Sequence, residues 1–112
     1  LPVFVNKIKL QAMTLDDFVE SIGRNSEAPD GISPELESLW LVKKGRWEES
    51  HRIAQDIATR TGSRIHGLLH AIEGDLGNAG YWYRKAGRSV IAVSQIDDEW
   101  RDLVSELLAH PE

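Results

Sequence analysis

Apolar residues recur along most of this chain at steps of three and four, the spacing of a helix that buries one face. Leu36, Leu39 and Trp40 make one such stripe, Ile65, Leu68, Leu69 and Ile72 a second, and Trp100, Leu103, Val104, Leu107 and Leu108 a third. No segment before Pro111 demands a strand, so the predicted class is all-α. Capping residues divide the pattern into elements. Thr14 with Asp17 reads as a capping box, and Met13 with Phe18 as the hydrophobic staple beside it. They open a helix over 15–22 that stops at Gly23. Residues 23–33 are loop by composition, and Ser33-Pro34 opens a helix that ends near Gly45. The next helix is expected from Arg46 or Trp47 to about Ala58, with Thr61-Gly62-Ser63 as a break. Asp75 caps a helix over Leu76–Ala86, closed by Gly87. A linker with a short turn at 90–93 follows, then a last helix from Asp97 to Pro111. Residues 1–12, with Val3 and Val5 alternating before Lys7 and Lys9, read as a short extended arm. Met13 stands as a candidate natural start, which makes 1–12 an N-terminal extension and 13–112 a single helical domain.

The chain matches itself at a shift of 29 residues. Leu36 falls on Ile65, Leu39 on Leu68, Trp40 on Leu69, Gly45 on Gly74, Trp47 on Leu76, Ser50 on Ala79, Ala54 on Tyr83 and Ile57 on Ala86. A helix–turn–helix unit that recurs with a glycine at each turn predicts two stacked antiparallel hairpins. Two hairpins alone leave an apolar face open, which the last helix is placed to cap through Trp100, Leu103, Leu107 and Leu108.

The segments Gly45-Arg46-Trp47-Glu48-Glu49-Ser50 and Gly74-Asp75-Leu76-Gly77-Asn78-Ala79, the latter with Tyr83-Arg84-Lys85-Ala86, resemble the second helix of a tetratricopeptide repeat. That resemblance implies tetratricopeptide-like packing over about residues 34–87, although the shift is 29 where that family repeats at about 34. The run from His66 to Tyr83, with its HxxxH helix, its Glu73-Gly74-Asp75 turn and its Tyr81-Trp82-Tyr83 helix, is also similar to a family of small uncharacterised bacterial and fungal proteins. This second resemblance implies no activity, and it favours Met13 as the start.

Composition narrows the function. With 112 residues the chain is one domain by size, and without cysteine it has no disulfide, thiolate site or cysteine nucleophile. The net charge of −5 argues against a nucleic-acid surface. Residues 89–112 carry five excess acids, read as a solvated helix face. No apolar run is long enough to span a bilayer. The cytoplasm is the default location in the absence of a visible export signal.

Candidate chemistry gathers in the second unit. His66 and His70 stand four apart on one helix face, with Glu73 on the same face and His51 on the preceding helix. Two imidazoles, a carboxylate and a third imidazole form a legal ligand set for a divalent first-row transition metal. The sequence is not HExxH, since Gly67 follows His66 and no built-in general base accompanies the first ligand. The competing reading makes these histidines buried boundary residues, hydrogen-bonded between helices and to Tyr81 or Tyr83. Gly77 and Gly80, inside a helix, call for close contact with a neighbouring backbone or a ligand. Arg84, Lys85 and Arg88 form a small basic cluster beside Tyr81 and Trp82, as dipole complement or anion clamp. Asp97, Asp98 and Glu99 read as first-turn acids that favour the macrodipole.

The expected function is a non-catalytic binding or interaction module for a protein or peptide partner. Its surface would hold His66, His70, Glu73, Tyr81, Trp82 and Arg84, with no catalytic residue and no cofactor. The alternative is a metal-binding protein or metal-dependent hydrolase with His51, His66, His70 and Glu73 as ligands.

Overall fold

The computed structural model describes residues 13–110; the expectations for residues 1–12 and for Pro111 lie outside them. The described residues form six α-helices: α1 (Leu15–Arg24), α2 (Pro34–Lys43), α3 (Trp47–Ala54), α4 (Arg60–Ile72), α5 (Leu76–Lys85) and α6 (Ile96–Ala109). A 3-10 turn, Val93–Gln95, leads into α6. Among the described residues there is no strand. The all-α class holds, as a compact helical bundle.

Helices α2 and α3 pair as one antiparallel hairpin and α4 and α5 as a second; α3 and α2 both pack on α4. Helix α6 crosses the pair, touching α1, α2 and α4, and α1 closes the outer side against α6 and α2. The core holds Phe18, Leu36, Leu39, Trp40, Ile65, Leu68, Leu69, Trp100, Leu103 and Val104, all at most 4% exposed. Indole nitrogens inside it are satisfied. Trp40 donates to Ser21 Oγ at 2.9 Å, and Trp100 to the Leu39 carbonyl at 2.9 Å. Trp100 is thus buried in the core, with Leu107 and Leu108 half-buried against it.

Local chemistry sets the element ends. The Thr14/Asp17 capping box is present in both directions. Ser33 Oγ caps α2 and Asp75 Oδ1 caps α5. The two hairpin turns match in detail. Gly45 and Gly74 both sit at φ +90°, a conformation that suits glycine. Arg46 N–H donates to the Leu41 carbonyl and Asp75 N–H to the His70 carbonyl, both at 2.9 Å, the same helix-ending bond 29 residues apart.

Several boundaries differ from expectation. Helix α3 ends at Ala54, and Thr61-Gly62-Ser63 lies inside α4 as its first turns. The reason is Thr59, whose hydroxyl accepts from Gly62 N–H at 3.0 Å and starts the helix early. Gly62 remains glycine because a Cβ there would lie 2.1 Å from the Ile57 carbonyl oxygen. Helix α1 runs one residue past Gly23 to Arg24. Helix α6 opens at Ile96, and the short turn falls at 93–95.

Two packing expectations also change. Ile72, assigned to the buried stripe, is 39% exposed at the end of α4. A Cβ on Gly77 or Gly80 meets only Asp75 or Arg84 side-chain atoms, so neither glycine admits a neighbouring backbone. The close approach is at Gly67, where a Cβ would lie 2.6 Å from the Tyr83 ring and 3.2 Å from the Ala79 carbonyl oxygen.

Candidate metal centre

Helix α4 carries His66 and His70 one turn apart, on a stripe adjoining Ile65, Leu68 and Leu69, which are fixed in the core. Helix α3 carries His51 and packs alongside. One ring nitrogen from each of His51, His66 and His70 lies within 4.8 Å of the others. His51 Nε2 and His66 Nε2 are 2.9 Å apart, one donating and the other accepting. The His66 and His70 rings stack at 5.0 Å between centroids, and His51 meets both edge-on. His66 and His70 are buried, and His51 is half-buried.

Tryptophans enclose this group on both sides. Trp47 stacks on His51 at 4.8 Å and Trp82 stacks on His66 at 3.9 Å. Trp47 is itself fixed by its indole N–H, which donates to the Leu69 carbonyl at 2.8 Å. The result is a row of four rings, Trp47, His51, His66 and Trp82, running from α3 across α4 to α5.

Glu73 does not join the three imidazoles as an equal. Its Oε1 lies 2.6 Å from His70 Nδ1. A carboxylate on Nδ1 fixes the ring and leaves Nε2 as the nitrogen free to ligate, the usual arrangement behind a metal-bound histidine. Glu73 also belongs to a second, more exposed trio with His70 and Asp75.

The electrostatics keep His51 and His66 neutral. Burial, then the neighbouring His51 and His70, push His66 down to about 4. Burial and His70 lower His51 as well, against Glu48 and Glu73, which act to raise it. A neutral imidazole has the lone pair a metal needs.

The surface expected for a partner is divided. His66 and His70 are buried and Trp82 is half-buried over His66, whereas Glu73, Tyr81 and Arg84 are exposed. Tyr81 stands edge-on to Trp82, and Lys85 Nζ lies 5.2 Å over the Trp82 ring. Neither Tyr81 nor Tyr83 serves as the histidines' hydrogen-bond partner in the bonds just described. Tyr83 instead donates to Glu99 at 2.9 Å.

That bond belongs to a network the sequence reading missed. Arg64, on α4, forms a two-pronged pair with Glu99 at 2.9 and 3.0 Å, and reaches Glu106 at 3.0 Å. Arg64 and Glu99 are both more than nine-tenths buried, so Glu99 is no solvated first-turn acid. Burial alone would raise the Glu99 carboxyl. The hydrogen bonds from Arg64 and Tyr83, with the Arg64 charge, outweigh that and hold it below its ordinary value. A usable signal was the seven-residue step from Glu99 to Glu106, which puts both acids beside the inward-facing Leu103. A cavity of about 340 Å³ lies elsewhere, between Ser33, Thr59 and Leu107, and none of the candidate residues lines it.

Comparisons with known proteins find no matching family model, no matching curated protein and no matching solved structure. Among the described residues no helix is long and apolar enough to cross a membrane.

Proposed function

We propose that this protein binds a divalent first-row transition metal through His51, His66 and His70, with Glu73 orienting His70. One observation carries the reading: three imidazoles from two helices present nitrogens within 4.8 Å of one another. A tetrahedral metal at about 2.0–2.1 Å from each nitrogen holds such nitrogens about 3.3 Å apart. The 2.9 Å between His51 Nε2 and His66 Nε2 lies within a small side-chain adjustment of that spacing. The all-nitrogen set suits zinc, copper, nickel or cobalt. Glu73 is the outer partner here, a change from its sequence reading as a direct ligand. The paired hairpins act as scaffold, and the tetratricopeptide-like register is read with it, supported by the matching turns at Gly45 and Gly74.

Equilibrium dialysis of untagged protein against zinc, cobalt or nickel, followed by metal analysis and a thermal melt, tests the reading. A single bound equivalent with a raised melting temperature is expected, lost in His66→Phe, which keeps an aromatic ring against Trp82. No bound metal, or equal binding by His66→Phe, overturns it.

The binding module expected from the sequence is the second reading, favoured by Tyr81 at 50% and Leu76 at 47% exposure. It commits to a protein or peptide partner on the Tyr81, Arg84 and Glu73 side. Tyr81→Ala would weaken capture of such a partner and leave metal binding intact; unchanged capture counts against this surface.

A further inference from the structure

Helix α3 is the part of the first hairpin that lends a side chain to the site. It is eight residues long, and its buried residues are Ser50 and Ala54, both small. Its N-cap, Arg46, makes no side-chain capping bond, although its guanidinium ties the turn to Glu49 and to the Ser26 carbonyl. A helix so short draws its stability from tertiary contacts. On the α2 side those contacts include the Ser38–Ser50 bonds; Ala54 also lies in the core, with Trp47 and Ile53 half-buried against it. Toward α4 the side-chain hydrogen bonds are the Trp47 indole to the Leu69 carbonyl and the His51–His66 pair. The last of these is a neutral bond between half-buried and buried rings, and it sits where the metal would.

We infer that metal occupancy locks α3 onto α4, so that the ion regulates how firmly the first hairpin is held against the second. The inference rests on the metal reading and adds its consequence. Segments with few buried apolar contacts open locally at low cost. Here the opening that frees α3 must also break the His51 contact. An ion held by His51 together with His66 and His70 must be released, at least in part, before α3 can open. Metal at about a hundredfold over its dissociation constant suppresses a site-breaking opening about a hundredfold. Helix α6 contributes no ligand, and its opening does not require the site to break. Trp47 and Trp82, stacked on His51 and His66, give a second readout from either side of the ion.

Amide hydrogen exchange of the full chain, with and without saturating zinc, tests this. In the wild type the α3 amides should slow by about tenfold to a hundredfold, while α6 amides change little. In His51→Gln, saturated with zinc through His66 and His70, that slowing should vanish. Zinc bound with no slowing of α3 overturns the inference and leaves the metal reading standing. Equal slowing in His51→Gln also overturns it. Absence of zinc binding in the wild type removes both.

Discussion

At the crossing of α2 with α3, Ser38 and Ser50 face each other, hydroxyl to hydroxyl at 2.9 Å and each also bonded to the other's carbonyl. Twenty-nine residues on, where α4 crosses α5, the matching positions hold Gly67 and Ala79, and the Tyr83 ring lies over Gly67. The first hairpin closes its crossing with small polar groups that satisfy one another. The second closes it by removing the side chain and laying an aromatic ring in the gap. The ring's hydroxyl then reaches Glu99 and through it Arg64. The hairpins differ at other positions of α4 as well. His70 occupies the position of buried Leu41, and His66 that of Glu37. Shared turns and shared core positions set the scaffold, and the differences between the hairpins concentrate its titratable groups on α4.

The largest expected effect tests the buried ion pair between α4 of the second hairpin and α6. Glu99→Ala leaves Arg64 and the Tyr83 hydroxyl without their shared partner and should cost about 3–5 kcal/mol in denaturant melts. A cost below about 1 kcal/mol would mean that Glu106 takes over the pairing. At the crossings, Gly67→Ala should destabilise by about 1–3 kcal/mol through collision with Tyr83. Ser50→Ala, at the first crossing, should cost about 1 kcal/mol, the worth of a buried hydroxyl bond. Equal costs would erase the contrast between the two crossings.

Glu73→Gln separates an orienting carboxylate from a ligand. As an outer partner of His70 it should lower metal affinity by about 10–100-fold and leave stoichiometry unchanged; complete loss of binding would make it a ligand. The smallest effect is a pH slope, measured on metal-free protein with chelator present. His66 is held near 4 in the folded state against 6.5 unperturbed, so its contribution is complete above 6.5 and is lost as pH falls toward 4. Glu99 is held below its ordinary 4.5, so its contribution is complete above 4.5 and is lost at more acid pH. Glu99→Gln should flatten the urea-midpoint profile below pH 4.5 and leave the slope above it. An unchanged acid limb would place the acid sensitivity elsewhere.

The sequence carried the helical class and most element starts, because Thr14, Ser33 and Asp75 bond locally and need no tertiary context. It misplaced the α3–α4 junction because Gly62 looks like a breaker, when the Thr59 cap and the close Ile57 carbonyl make it a helix residue. The histidine group was legible from the four-residue step and the adjacent helix. The flanking tryptophans were not, since a stack depends on ring orientation that spacing does not encode. Trp82, the one tryptophan the packing pattern left without a place, covers His66. Glu99 was hidden by its position in the first turn of α6, where acids are ordinary.

The most direct test of the central claim is anomalous diffraction from crystals of untagged protein grown with zinc, recorded on both sides of the zinc absorption edge. The account predicts one peak about 2.0–2.1 Å from Nε2 of His51, His66 and His70, with Glu73 still on His70 Nδ1. A histidine cluster without a peak, its His51–His66 hydrogen bond intact in the presence of zinc, would contradict it.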